Sequence, residues 1–409
     1  MYEFMTFKNQ TTPYFGLPEK VLFCKTCVIS NQRPSSTVEF KHKKDEQKKT
    51  IGFGKDGICD ACRYHFIKEK EICWKDREDQ LLAVLDKFRR TDGGYDVIVP
   101  GSGGKDSAFT SHVLKYRYGM NPLTVTWAPH LYTDIGWKNF EAWMHVGGHD
   151  NILFTPNGKL HRLLTRLAFK NLLHPFQPFI IGQRIIGPAM ARKFGVELVM
   201  YGENQAEYGN NSDENYVPTM DQKFFSSNDP YDIRLGGETI RDIIRDYGFS
   251  INDFEPYIPP ASKQLTKAGI EVHYLGYYLK WDPQECYYYA VENTGFQAND
   301  ERTSGTYSKY SSIDDKIDMF HYFTTLIKFG IGRATYDAAQ EVRNDKITRE
   351  EAVHLVSKYD QEFPKKYYST FLEYIEMTDR EFWEVVDKFR SPHLWEHTNK
   401  NWVLKHCVS

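Results

Sequence analysis

The chain has 409 residues, 41% of them hydrophobic, and a formal net charge of -3. It is long and apolar enough for two or three domains with substantial cores, and its near-neutral balance gives no broad basic field to capture nucleic acid or an acidic membrane. There is no apolar run of about 18 residues, and MYEFMTFKNQ lacks a basic segment followed by an apolar one, so neither a membrane span nor a signal peptide is expected and the cytosol is the default compartment.

In chain order, the first feature is a pair of Cys-x-x-Cys turns, Cys24 with Cys27 and Cys59 with Cys62. Four thiolates on two facing turns are the usual construction of a structural zinc site, whose binding energy helps fold a small module. An iron–sulfur cluster and free thiols are the alternatives, since the stretch between Cys27 and Cys59 is longer than in compact ribbons. The insert KHKKDEQKK (41–49) reads as a solvated hairpin extension, STVEF and TIGFG as short strands, and Cys73, Cys286 and Cys407 as incidental thiols.

A helix is expected where Leu81, Val84, Leu85 and Phe88 recur at helical spacing, ending at TDGGYD. Strand and helix then alternate. DVIVP (96–100) precedes a helix over 107–118, PLTVTWA (122–128) one over 137–146, and NILFTP (151–156) one near 158–173, after which a helix over 182–194 leads into VELVMYGEN. Near-continuous apolar strands between amphipathic helices predict a doubly wound parallel α/β sheet, with ligands at the carboxyl ends of its strands. Beyond residue 245 the pattern is mostly helical, with capping boxes at Thr348/Glu351 and Thr378/Glu381. The expected domains are a four-cysteine zinc-binding module at 18–80, the α/β domain at 81–245, and a helical substrate or partner domain at 246–409.

The turn after Val99 reads Ser102-Gly103-Gly104-Lys105-Asp106-Ser107. It matches neither a Walker A loop, because Val99 stands where the first glycine belongs and Asp106 follows Lys105, nor a Gly-x-Gly-x-x-Gly dinucleotide turn. Gly103 and Gly104 let the backbone approach an anion, Ser102 and Ser107 add hydroxyls, Lys105 adds positive charge, and Asp106 can hold Mg²⁺.

This hexapeptide, set after a strand, resembles the pyrophosphate loop of the N-type ATP pyrophosphatases, the PP-loop (HUP-like) group that includes GMP synthetase, asparagine synthetase and tRNA-thiolating enzymes. The resemblance implies cleavage of ATP to AMP and pyrophosphate through an adenylated oxygen. It places adenine beside Thr126 and Trp127, and gives Glu203 and Asn204 a metal or acceptor role, with strand packing and an ion pair to arginine as the plainer readings of these positions.

The ordered set CKTCVIS, GICDAC, DVIVPGSGGKDS, YGEN, ERTSGTYSKYSSIDDKID and GIGRATYDAAQEVRNDKITREEAV resembles the bacterial N-acetyl sugar amidotransferases of surface-polysaccharide synthesis over roughly 18–390. That resemblance implies conversion of a sugar acetamido group to an acetamidino group with ATP and Mg²⁺, on an N-acetyl sugar or nucleotide sugar. UDP-2,3-diacetamido-mannuronic acid is the first choice of substrate and pseudaminic or legionaminic acid the next. Ammonia is expected from a separate glutaminase partner, because the chain carries no glutaminase signature. Lys309 is the candidate for stabilising the α-phosphate, and Arg302 and Arg333 are candidates for the substrate, each with an ion pair as the alternative. A tRNA thiolase would need a basic surface and a cysteine in the catalytic domain, and a zinc-ribbon adaptor would bind nucleotide without turnover. Neither a membrane nor a nucleic-acid partner is expected.

Overall fold

Four strands, β1 (Val97–Pro100), β2 (Pro122–Trp127), β3 (Asp150–Phe154) and β4 (Leu198–Tyr201), follow the expected apolar runs. The computed structural model describes residues 12–208, 216–399 and 401–409. β5 (Arg234–Leu235) and β6 (Glu238–Thr239) form a small antiparallel ribbon, and β7 (Glu271–Tyr274) returns to the main sheet. Among the described residues that sheet has five strands in the order β3-β2-β1-β4-β7, all parallel.

Alternation along each strand feeds two cores. Val97, Val99, Leu198 and Met200 face the helix Trp74–Phe88 through Leu81, Leu85 and Phe88, whereas Ile98, Val125, Trp127 and Val199 face the helices Gly158–Leu172 and Gln177–Phe194. Both faces are covered, which is the doubly wound arrangement that apolar parallel strands require. The chain runs outward through β2 and β3 and then crosses to β4 on the other side of β1. The carboxyl ends of β1 and β4 therefore flank the switch point where such sheets bind ligands.

Two expected boundaries differ from the observed packing. The helix Trp74–Phe88 runs through the expected boundary after residue 80, and β7 lies beyond residue 245. The four-residue run EVHY is too short and too polar to stand out as a buried strand. It is placed by pairing with β4 in the register Leu198 to Glu271.

The cysteine segment holds isolated bridges, Phe23 to Ser30, Pro34 to Thr50 and Phe53 to Cys59, in place of the expected strands. It also holds an unexpected helix, Asp60–Lys70, which carries Cys62 in its first turn. The insert at 41–49 is not wholly solvated, because His42 and Lys48 are buried and meet at 2.7 Å. The C-terminal part is mostly helical: Asp318–Phe329, Arg333–Arg343, Arg349–Tyr359, Tyr368–Tyr374 and Asp379–Lys388, followed by the hairpin β8 (Trp395–Thr398) and β9 (Asn401–Leu404). Both capping boxes form. The four cysteines share a core with Ile331, Ala338, Ala339 and Ala352, so the N-terminal segment docks on the C-terminal helices.

Candidate functional site

The glycine-rich turn leaves β1 and enters the helix Lys105–His112, whose N-cap Gly104 has no side-chain cap. The first backbone N–H groups of that helix are thus left for an anion. Gly103 has φ +82°, and a Cβ there would stand 2.9 Å from the Phe140 Cα, so the turn demands glycine. Ser107 Oγ accepts from Gly103 N at 3.2 Å and donates to Gly104 O at 3.1 Å, holding the turn in shape.

Two cavities meet on this turn. The smaller, about 360 Å³, lies between the ends of β1, β2 and β4 and is lined by Ser102, Gly104, Asp106, Ser107, Val125, Trp127 and Glu203. The larger, about 530 Å³, is lined by Ser102, Gly103, Gly104, Lys105, Asp106 and Glu203, and opposite them by Asp282, Tyr310, Asp314, Asp318, Arg333, Arg343 and Lys346. Gly136 lets the far wall approach, since a Cβ there would lie 2.5 Å from the Asp314 Cα.

The charges in this site hold one another. Lys105 Nζ lies 2.6 Å from Asp106 Oδ2; burial works against its ammonium, but Asp106 and Glu203 outweigh it and raise the pKa. Among the described residues Asp106 Oδ1 is buried and has no hydrogen-bond partner, which makes it the carboxylate oxygen beside the turn that could hold a cation. Among the described residues the buried Trp127 Nε1 likewise has no hydrogen-bond partner, and the side chain lines the smaller cavity. Burial pushes Asp318 up to about 7, with Arg333 pulling the other way. Arg333 pairs with Asp337 at 2.9 Å and covers the Tyr322 ring at 4.3 Å.

Several sequence-predicted residues lie elsewhere. Thr126 is fully buried on the opposite face of β2 from Val125 and Trp127 and accepts from Asn151 Nδ2 at 3.0 Å, as strand alternation dictates. Asn204 is buried outside both cavities, accepting from Ala206 N at 3.2 Å. Lys309 is exposed, donates to Asp300 O at 2.8 Å and lines neither cavity. Arg302 also lies outside them, held by a bidentate pair with Glu362 at 2.6 and 2.9 Å. The cations brought to the larger cavity are Lys105, Arg33, Arg333, Arg343 and Lys346. Arg343 and Lys346 lie in the same stretch as Arg333; the helical spacing of Arg343 from Gln340 was a signal that could have found it, whereas Lys346 lies past the end of that helix.

The four cysteines form the second constellation. Cys24 and Cys62 sulfurs lie 3.9 Å apart, Cys27 and Cys59 sulfurs 3.8 Å apart, and all four fall within 4.8 Å of one another. A tetrahedron of sulfurs about 2.3 Å from a central ion has edges of about 3.8 Å, so the donor set fits a single metal ion. Arg343 Nη1 lies 4.0 Å from Cys27 Sγ and its Nη2 donates to Glu207 O at 3.1 Å, setting a buried cation between the thiols and the larger cavity. Cys73 and Cys407 are exposed; Cys286 is buried, and burial, with Asp106 nearby, pushes its thiol well up, which makes it a poor nucleophile.

Residues 304–407 match the family of LPS biosynthesis proteins described as WbpG-like, C-terminal domain. Comparison with curated proteins by sequence finds no match. Among solved structures, the chain is similar to the NMN synthetase from Francisella tularensis at 11% identity and TM-score 0.28, over 70% of this chain and 97% of that one. It is also similar to the U34-tRNA thiolase NcsA from Methanococcus maripaludis with its [4Fe-4S] cluster, at 12% identity and TM-score 0.29, over 82% of this chain and 89% of that one. Among the described residues no helix is long and apolar enough to cross a membrane.

Proposed function

We propose that this chain, whose residues 304–407 match the model of the WbpG-like LPS biosynthesis protein C-terminal domain, is an ATP-dependent amidotransferase acting on an N-acetyl sugar. It adenylates the acetamido oxygen, ammonia then attacks the imidate carbon, and AMP leaves, so that the acetamido group becomes an acetamidino group. The carrying observation is the sharing of Ser102, Gly104, Asp106 and Glu203 by the two cavities. A nucleotide in the smaller cavity and a sugar in the larger would meet at the turn, its α-phosphate against the acetamido oxygen.

The chain's own residues supply positioning and charge. Backbone N–H groups from Gly104 onward, the Ser102 hydroxyl and Lys105 would hold the departing pyrophosphate, with Ser107 keeping the turn in shape. Asp106 Oδ1 would hold Mg²⁺, which neutralises charge on that leaving group. Val125 and Trp127 would flank the adenine. Arg333 and Lys346 suit the carboxylate or diphosphate of a substrate such as UDP-2,3-diacetamido-mannuronic acid, and Tyr310 offers a face for a sugar ring. Zinc at Cys24, Cys27, Cys59 and Cys62 would be structural, fixing the wall that carries Ile29, Arg33 and Ile51. A separate glutaminase would supply ammonia. The neutral, buried Cys286 favours this chemistry over sulfur transfer.

The test is isotopic. With oxygen-18 in the substrate's acetamido carbonyl, the label should be recovered in the phosphate of AMP. Retention of the label in the sugar alongside AMP formation would overturn the adenylation step.

A further inference from the structure

Opposite the turn, the wall of the larger cavity carries several carboxyl groups, and most are engaged by their neighbours. Asp315 accepts from the backbone N–H groups of His130, Leu131 and Ile317 at 2.7, 3.3 and 2.9 Å. Asp337 pairs with Arg333 at 2.9 Å and accepts from Thr306 Oγ1 at 2.7 Å. Asp282 accepts from Gln284 N at 2.9 Å and pairs with Lys346 at 3.3 Å, and Glu341 accepts from the Tyr307 hydroxyl at 2.7 Å. Asp314 is tied to the turn, where the Ser102 hydroxyl favours its ionised form.

Asp318 differs from all of these. It opens the helix Asp318–Phe329 and is partly exposed where it lines the cavity. The groups that act on it are Ser312, Asp314 and Asp315 from the preceding loop, Tyr322 one turn along its own helix, and Arg333 from the next helix. Ser312 holds φ +56°, a left-handed conformation uncommon outside glycine, in the loop that brings its hydroxyl to the carboxyl. Arg333 acts on it electrostatically, while its own guanidinium pairs with Asp337 and covers the Tyr322 ring at 4.3 Å. Burial, with Asp314 and Asp315, outweighs Arg333 and Ser312, so this carboxyl titrates at about 7. A group of that affinity both takes and gives a proton readily near neutral pH.

Resting on the amidotransferase reading above, we propose that Asp318 is the proton-transfer group of the reaction, taking the acetamido N–H proton during adenylation and returning it when ammonia adds. As the acetamido oxygen bonds to the α-phosphorus, the bond to pyrophosphate breaks and the nitrogen becomes a cationic N–H acid. Asp318 takes that proton and leaves a neutral imidate. Returned to the nitrogen, the same proton makes the carbon electrophilic again as ammonia adds to it. The C–O bond to AMP then breaks with its electron pair on AMP. The added nitrogen loses one proton to Asp318 and from there to solvent, so one proton is released for each acetamidinium formed.

Asp318→Asn keeps the shape of the group and removes its proton exchange. With the full chain, Mg-ATP, UDP-2,3-diacetamido-mannuronic acid and ammonium chloride, it should lower kcat about a hundredfold, with KM for ATP and for the sugar within about threefold. Sugar-dependent exchange of pyrophosphate into ATP, which reads adenylation without ammonia, should fall as far. In the wild type that exchange should rise with pH through about 7, as the carboxylate forms, and in Asp318→Asn it should be flat. Asp318→Glu keeps the ionisation and should regain about tenfold over Asp318→Asn, together with the pH dependence. Wild-type kcat in Asp318→Asn, a loss confined to KM for the sugar, or an Asp318→Glu variant no better than Asp318→Asn would overturn the proposal. Absence of sugar-dependent exchange in the wild type would instead overturn the amidotransferase reading, and the role of Asp318 with it.

Discussion

Arg343 lies 4.0 Å from the sulfur of Cys27 and at the same time lines the larger cavity. The four-cysteine cluster and the wall of the larger cavity are therefore one packed unit, with a buried cation between them.

Removal of the metal proposed at the four cysteines should act on the larger cavity before it acts on the smaller one. Cys24→Ser and Cys59→Ser should each release bound metal, measured by atomic spectroscopy, and lower Tm by about ten degrees or more, on the order expected when a structural ion is lost. At temperatures where the variants stay folded, KM for the sugar should rise more than KM for ATP. An unchanged metal content would contradict the assignment of these cysteines as ligands.

Asp106→Ala should lower kcat by about a hundredfold or more, while circular dichroism and Tm stay near wild type. The group is a partner of Lys105 at a partly exposed edge, so the fold does not depend on it. Gly103→Ala is different in kind. With φ at +82° and Phe140 behind it, this substitution should cost both stability and nucleotide binding, read by thermal shift with and without ATP.

Lys309 and Lys346 separate the sequence expectation from the observed geometry. Lys346 lines the larger cavity and pairs with Asp282 at 3.3 Å and Glu285 at 2.9 Å, whereas Lys309 faces solvent. Lys309→Ala should keep kcat/KM within about twofold, and Lys346→Ala or Arg333→Lys should lower it by about tenfold or more. A large loss in Lys309→Ala would restore that residue to the site.

Asp318 gives a pH signature. Its folded-state pKa of about 7 lies above the ordinary 3.8, through burial first and the nearby carboxylates Asp314 and Asp315, against the pull of Arg333. A raised carboxyl contributes fully to stability below about pH 4, and that contribution is lost as pH rises towards about 7. Asp318→Asn removes the ionisation. Its Tm should match wild type near about pH 4 and exceed it by a few degrees above about pH 7. A difference that stays flat with pH would contradict the shifted carboxyl.

The sheet and its helices were largely legible because each signal is local. The apolar runs at β1, β2 and β4, the helical spacing of Leu81, Val84, Leu85 and Phe88, and the two Thr-x-x-Glu boxes all depend on neighbours in the chain. The glycine turn at the head of a helix was legible for the same reason, as was the pairing of cysteines by spacing. What stayed hidden is set by distant contacts. β7 becomes a strand by pairing with β4, Cys62 enters a helix packed under the C-terminal segment, and Thr126 turns away from the smaller cavity because its strand alternates. Lys309 and Arg302 carried the right charge in the right stretch, but Asp300 and Glu362 hold them outside the cavities. His130 meets Asp315 from 185 residues away, a contact with no local trace.

The most direct measurement is mass spectrometry of the products formed from Mg-ATP, ammonium chloride and UDP-2,3-diacetamido-2,3-dideoxy-mannuronic acid, with pseudaminic acid in a parallel reaction. AMP, pyrophosphate and a sugar whose amide oxygen has been replaced by nitrogen are the expected products. ADP, or AMP with both sugars unchanged, would contradict the account.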